Sequence, residues 1–271
     1  MAPRKIPARL DVLLAPKARK AVVLRRGPAK QVCTVGWDLS SDTFQLGQWI
    51  KGRIHGYCCD LSPAGKFFLY YLMNPSEDFY CWTTISRAPY LKAIGRWRVV
   101  GGMTGGGLFL SDTRFWLNNP YDEASKCGEL ENDPAEAEDE FCRDWRKVYF
   151  RRLLRDRWRL VKKVGYEPGR GALTFEKPLC ENRVLVNIVD ASGLTGLGRG
   201  ICSSEYRLID FETGEVQFQP TWEWADIDGG RLLWAEGGKI FSANIEAQGL
   251  GSGKMLYDFN DMTFQAIEAP Y

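Results

Sequence analysis

Histidine is nearly absent from this chain: there is one, His55, in 271 residues. Any imidazole-dependent catalysis or histidine-rich metal site therefore has a single residue to draw on. No Cys-x-x-Cys pair occurs among the eight cysteines, at positions 33, 58, 59, 81, 127, 142, 180 and 202. Their scatter fits no dense disulfide framework and points to reduced thiols. No window approaches the ~18 uninterrupted apolar residues that a membrane-spanning helix needs. Net charge is also small, because 36 Lys and Arg offset 34 Asp and Glu for a formal +2. That balance excludes a molecule-wide basic field for nucleic acid. The N-terminal residues lack the apolar core of a secretory signal. Pro3, Pro7 and Pro16 spoil the amphipathic helix of a mitochondrial presequence. The expected location is cytoplasmic.

What is present is apolar, aromatic and locally charged. Hydrophobic residues make up 45% and aromatic residues 13%, which excludes disorder as the main state and suffices for a large core. Residues 1–30 hold nine Lys and Arg against Asp11 alone. Residues 129–140 hold seven acids and no base, and residues 143–163 hold ten bases and two acids. These runs predict a basic N-terminal extension over 1–19 and a single domain over 20–271. An acidic insert is expected at about 122–142.

Short apolar runs closed by tight turns dominate the chain. Strands are predicted over 20–25, 31–38, 43–50, 57–61 and 67–73, the last two joined by Ser62-Pro63-Ala64-Gly65-Lys66. Proline presets φ and glycine accepts a positive φ, so this stretch reads as a turn. Further hairpins are predicted for 107–110 with 114–117, 148–154 with 158–161, and 207–211 with 215–218. Asp228-Gly229-Gly230 and Glu236-Gly237-Gly238 separate three more strands between 224 and 245, in strong hairpin chemistry. Helical periodicity is scarce. Ile6–Leu14 is compatible with a short turn of helix, and 129–140 reads as an exposed loop or short solvated helix.

Hairpins at this density predict an all-β fold. Units led by Tyr57, Gly107, Val148 and Trp224 fit a β-propeller of about five blades, six also being compatible with the spacing. The strands before Tyr57 would complete the last blade and close the ring. A β-sandwich is the alternative.

The string Cys59-Asp60-Leu61-Ser62-Pro63-Ala64-Gly65-Lys66-Phe67-Phe68-Leu69-Tyr70 resembles the turn hairpin of WD40-like β-propeller repeats, with Ala64 in place of the usual acid. Trp224-Ala225-Asp226-Ile227-Asp228-Gly229-Gly230-Arg231 is a weaker copy, and the other proposed blades lack the motif. The whole chain, including the ending Tyr257-Asp258-Phe259-Asn260, is similar to uncharacterised bacterial proteins of about this length. The resemblance implies a platform for ligands or proteins and assigns no activity.

Candidate chemistry is sparse. His55-x-x-Cys58-Cys59 offers one nitrogen and a thiolate, but no second ligand pair accompanies it, so turn and core roles are favoured and no metal is assigned. Strand alternation would put Cys58 and Cys59 on opposite faces, so at most one faces a core. Asp60, Asp226 and Asp228, with Glu223 and Glu236, are candidate carboxylates for glycoside hydrolysis, although acids also occur at turns to bond their own backbone. The glycine-rich stretches 101–107 and 193–200 lack the features of a phosphate loop. The run 143–163 interleaves bases with Trp145, Tyr149, Phe150 and Trp158, a pattern suited to single-stranded nucleic acid. An outer strand with aromatics inward and arginines in solvent is the favoured explanation.

The favoured reading is a non-catalytic protein-binding scaffold without cofactor. A specific version is an immunity or inhibitor protein that occludes a partner enzyme. Its contact residues are Glu129, Glu131, Asp133, Glu136, Glu138, Asp139 and Glu140, steering a partner that is basic or acts on nucleic acid. The alternatives are a carbohydrate-acting hydrolase with carboxylates in a central pocket and nucleic-acid binding through 143–163.

Overall fold

The computed structural model describes residues 6–27, 31–74, 80–100, 104–118, 126–133, 145–167, 170–190, 202–247 and 249–271. The protein is all-β, and its described strands form five sheets that follow one another along the chain. By compactness the chain divides into two units, 1–152 with 261–271, and 153–260.

The first unit opens with β1 (Arg9–Leu14), β2 (Lys20–Arg26), β3 (Gln31–Asp38) and β4 (Thr43–Lys51), an antiparallel meander in chain order. Strand β1 replaces the helical turn expected at Ile6–Leu14 and lies within the predicted N-terminal extension. The run Leu10, Val12, Leu13 pairs residue for residue with β2, and sheet burial overrides weak helical spacing.

The second sheet holds β5 (Arg53–Ile54), β6 (Asp60–Leu61), β7 (Phe67–Met73), β8 (Cys81–Arg87) and β9 (Ala93–Arg98). Strand β7, Phe-Phe-Leu-Tyr-Tyr-Leu-Met, is buried on both faces. Phe68, Tyr70 and Leu72 pack with Leu13, Val22 and Leu24, while Phe67 and Leu69 pack with Phe109 and Phe115. The period-2 pleat thus makes one strand serve two cores, and truncating Phe68 to alanine would cost roughly 3–5 kcal/mol.

The predicted turn before β7 is built as expected. Gly65, at φ 70°, donates to the Ser62 carbonyl at 2.7 Å. Ser62 Oγ accepts from the N–H groups of Lys66 and Phe67 at 3.1 and 3.0 Å. The Ala64 N–H donates to Asp112 Oδ1 at 2.7 Å, so a carboxylate from the next hairpin sits on the turn where the resembled motif has its own acid. The strand expected over 57–61 is corrected: Gly56–Cys58 is a short 3-10 turn, and only Asp60–Leu61 is strand. Cys58 and Cys59 are consequently both buried, because strand alternation does not apply across the turn.

The third sheet comprises β10 (Gly107–Phe109), β11 (Arg114–Leu117), β12 (Lys126–Cys127) and β13 (Leu130–Asn132), with β13 inserted beside β11 as a parallel neighbour. Next comes helix α1 (Trp145–Arg155), where the sequence predicts a strand over 148–154. The run Val148-Tyr149-Phe150 has strand propensity, but its Arg, Lys and Leu neighbours are good helix formers. Lys147 and Arg151, four residues apart on one helix face, both lie over the Trp116 ring, at 5.2 and 5.6 Å. Helical spacing satisfies this arrangement, whereas a strand would separate the two cations by about 13 Å.

The second unit holds the two remaining sheets. One contains β14 (Arg159–Glu167), β15 (Arg170–Cys180), β16 (Arg183–Asp190), β17 (Ser203–Asp210) and β18 (Val216–Gln219), in that order. The other contains β19 (Trp222–Asp228), β20 (Arg231–Glu236), β21 (Lys239–Glu246), β22 (Gly249–Leu250) and β23 (Lys254–Asp258), with β21 pairing both β22 and β23. The turns joining β19, β20 and β21 carry paired positive-φ glycines, Gly229-Gly230 and Gly237-Gly238, as the sequence predicts.

The expectation that N-terminal strands complete the last sheet is corrected. Among the described residues, strands β1–β4 pair only with one another, and β23 pairs with β21. Residues 261–271 return to the first unit as irregular chain. Gln48 Nε2 donates to the Ile267 carbonyl at 2.8 Å, Phe264 packs on Trp49, and the Tyr271 hydroxyl donates to the Lys92 carbonyl at 2.6 Å.

Candidate functional site

The acidic contact residues of the sequence reading fall partly within the described structure. Glu129 stands in the β12–β13 turn and pairs with Lys66 Nζ. Glu131 is exposed on β13, and Asp133 pairs with the Arg114 guanidinium. Glu136, Glu138, Asp139 and Glu140 lie outside the described residues. Both ion pairs are at the surface, where such pairs contribute about 0–1 kcal/mol, so they compete only weakly with an incoming cation.

The other candidates are absorbed by the fold. His55 Nε2 lies 3.0 Å from Met73 Sδ, and Cys59 Sγ donates to the His55 carbonyl at 3.1 Å. Burial, then the Arg53 and Arg26 charges, push the His55 pKa down to about 4, leaving a neutral imidazole at pH 7. Burial pushes the Cys33 and Cys59 thiols up to about 12. Among the described residues, no group of three or more His, Cys, Asp or Glu side chains is arranged to hold a metal ion.

Asp60 is fully buried, and its Oδ2 accepts the Phe109 N–H at 2.7 Å, tying the second sheet to the third. Asp226 is held by Lys177 Nζ at 2.5 Å, Trp158 Nε1 at 3.4 Å and the Ile227 N–H at 2.7 Å. Asp228 lies 3.6 Å from the Arg231 guanidinium, and Glu223 and Glu236 are half-buried. A carboxylate committed to an ammonium, an indole and a backbone amide is poorly placed to shuttle protons. In the first glycine-rich stretch, a Cβ at Gly105 would stand 2.1 Å from the Tyr71 ring, and the Gly106 N–H donates to Thr83 Oγ1 at 2.8 Å. Close packing accounts for these two glycines; residues 193–200 lie outside the described structure. In the basic run, Arg152 donates to the Gly56 and Cys59 carbonyls, Arg155 pairs with Asp156, and Arg159 with Glu176.

A further surface, absent from the sequence reading, lies at the β17–β18 hairpin. Asp210 organises it: Oδ1 accepts the Glu212 and Thr213 N–H groups at 2.9 and 3.0 Å, and Oδ2 accepts Arg183 Nε at 2.6 Å. The Thr213 N–H and the Arg183 guanidinium hold its carboxyl below the usual carboxylate range. Beyond Asp210 every residue from 211 to 218 is exposed, including Phe211 at 61%, Val216 at 41% and Phe218 at 59%. A cleft of about 180 Å³ runs alongside, lined by Leu179, Leu208 and Leu250 and by the Arg183–Asp210 pair, Glu215 and Gln217. The sequence conceals this surface because Val216-Gln217-Phe218-Gln219 alternates like a half-buried strand. Its edge position follows from sheet order, which no local pattern encodes.

No family model matches the chain, and no curated protein does. Among solved structures, the β-propeller domain of the Trilobed protease from Pyrococcus furiosus is 11% identical, covers 94% of this chain and 100% of its own, and has a TM-score of 0.37. An acylaminoacyl peptidase from Pyrococcus horikoshii is 11% identical over 93% of this chain and 53% of its own, with a TM-score of 0.38. An uncharacterized protein from Listeria monocytogenes is 9% identical over 91% of this chain and 66% of its own, with a TM-score of 0.31.

Proposed function

We propose that this chain is a non-catalytic, protein-binding scaffold of the β-propeller class, with its five sheets as blades. The observation that carries the binding role is the β17–β18 hairpin. An ordered sheet edge there presents Phe211, Val216 and Phe218 to solvent, and the opposite face of the same strand borders a cleft through Glu215 and Gln217. Large apolar side chains clustered on an ordered surface mark interaction sites more often than they occur by chance. The acidic segment around Glu131 supplies a second, electrostatic contact that speeds encounter with a basic partner. An immunity or inhibitor role, with the scaffold occluding a partner enzyme, is the specific form of this reading.

Quantitative co-purification of partners with Phe211→Ser/Phe218→Ser and with Glu129→Gln/Glu131→Gln/Asp133→Asn tests the proposal. Partner recovery falls in the first variant, and in the second it falls and loses its salt sensitivity. Unchanged recovery in both variants rejects it.

A further inference from the structure

The outer edge of β18 has a defined hydrogen-bonding pattern. The Asp210 N–H donates to the Glu215 carbonyl at 3.0 Å, and the register continues with Ile209 opposite Val216, Leu208 opposite Gln217 and Arg207 opposite Phe218. Antiparallel pairs alternate between bonded and non-bonded positions. The Asp210 N–H points towards β18, and so, two residues earlier, do the N–H and C=O of Leu208, which makes Leu208 and Gln217 a bonded pair. Val216 and Phe218 therefore direct both their N–H and C=O groups away from β17, along the free side of the sheet.

We propose that this edge takes up an extended peptide segment of alternating apolar and basic residues as an added strand. The inference rests on the protein-binding reading above and names the mode and chemistry of the contact. Strand addition draws affinity from main-chain bonds and specificity from the alternating side chains on each face. On one face Val216 and Phe218 lie with Ile209 and Arg207, the Arg207 guanidinium 4.6 Å over the Phe218 ring. A partner residue opposite Phe218 shares that face and is apolar. On the other face Glu215 and Gln217 border the cleft.

The charges around the hairpin are unbalanced towards acid. Arg183 and Arg207 are matched by Asp210 and Glu205. Glu212 accepts from Asn182 Nδ2 and Glu215 from Gln217 Nε2, and neither carboxylate has an ion pair among the described residues. A partner residue opposite Gln217 meets this surplus and is basic. Strand β14, at the opposite margin of the same sheet, carries Arg159, Lys162 and Lys163, which discourage pairing. Strand β18 carries neither charge nor proline.

The test uses a fluorescent peptide of alternating lysine and valine, its glutamate-for-lysine counterpart, and two copies N-methylated on alternate residues. Binding is followed by anisotropy on the full chain. The lysine peptide binds, the glutamate peptide does not, and only one N-methylation pattern abolishes binding. Phe218→Pro removes an outward N–H without removing a β17 bond, and weakens binding about tenfold or more, the equivalent of one main-chain hydrogen bond and its packing. Glu215→Gln, which leaves the backbone intact, weakens binding and flattens its salt dependence.

Equal binding of both peptide charges, equal tolerance of both N-methylation patterns, or unchanged affinity in Phe218→Pro overturns the proposal. So does concentration-dependent self-association of the unliganded chain that Phe218→Pro abolishes, since the occupant is then a second copy. If partner recovery depends on Phe218→Ser while the lysine peptide fails to bind, strand addition is rejected and the protein-binding reading stands. If recovery is unchanged both in Phe211→Ser/Phe218→Ser and in the acid-neutralised variant, the reading itself falls.

Discussion

Lys177 Nζ lies 2.5 Å from Asp226 Oδ1, with both side chains largely withdrawn from solvent, and Trp158 donates to the second carboxylate oxygen. This candidate acid of the sequence is thereby a structural one, joining β15, β19 and Trp158, the residue before β14. Removing one partner of such a pair leaves an uncompensated charge in a poorly solvated place.

Asp226→Asn therefore lowers the unfolding free energy by about 3 kcal/mol, read from denaturant melts. The paired replacement Asp226→Leu/Lys177→Met recovers most of that loss, since apolar groups of similar volume fill the site. A glycosidase role for Asp226 would instead require hydrolysis of a glycan that disappears in the asparagine variant at unchanged stability.

His55 gives the fold a pH dependence. Its pKa is pushed from 6.5 to about 4 by burial and by the charges of Arg53 and Arg26. The unfolded chain takes up the proton first, so this contribution is fully present above pH 6.5 and is lost as pH falls from 6.5 towards 4. The loss amounts to about 3 kcal/mol, and His55→Asn flattens the slope of stability against pH in that window. A slope unchanged in the variant would assign the pH dependence to carboxylates.

The thiols sort by burial. Cys33, Cys58, Cys59, Cys81, Cys127 and Cys202 are buried, and Cys180 is half-exposed. With an aromatic disulfide reagent, Cys180 reacts ahead of these six, and Cys33 and Cys59 react only at the rate of unfolding. Peptide mapping of the labelled protein reads the order directly.

Residues 261–271 act as a strap on the first unit. Tyr271 accepts the Arg87 N–H at 3.0 Å, donates to the Lys92 carbonyl at 2.6 Å and lies 5.1 Å beneath the Arg87 guanidinium. Tyr271→Ala lowers the stability of that unit by about 2 kcal/mol, the net worth of two hydrogen bonds, while probes in β20 and β21 are unaffected.

Local turn and pairing chemistry was legible in the sequence. The Ser62–Lys66 turn, the Gly229-Gly230 and Gly237-Gly238 hairpins, and strands β3 and β7 follow from glycine freedom and apolar period. The order of strands in a sheet was not. That order made Val216 and Phe218 an edge, although their alternation argued for partial burial. Helix α1 is not legible locally, because Val148, Tyr149 and Phe150 favour a strand by propensity, whereas the decisive contact, Lys147 and Arg151 over Trp116, joins residues more than thirty positions apart. Alternation puts Cys58 and Cys59 on opposite faces in the sequence, since the 3-10 turn at Gly56–Cys58 carries no proline, glycine pair or capping side chain beyond Gly56 itself.

Amide hydrogen exchange along β18 of the unliganded chain tests the protein-binding edge most directly. The N–H of Gln217, bonded to Leu208 across the sheet, exchanges slowly, while the N–H groups of Val216 and Phe218 exchange at rates close to those of an unstructured peptide. Protection of Val216 and Phe218 equal to that of Gln217 would mean the edge is already covered, and would contradict the account.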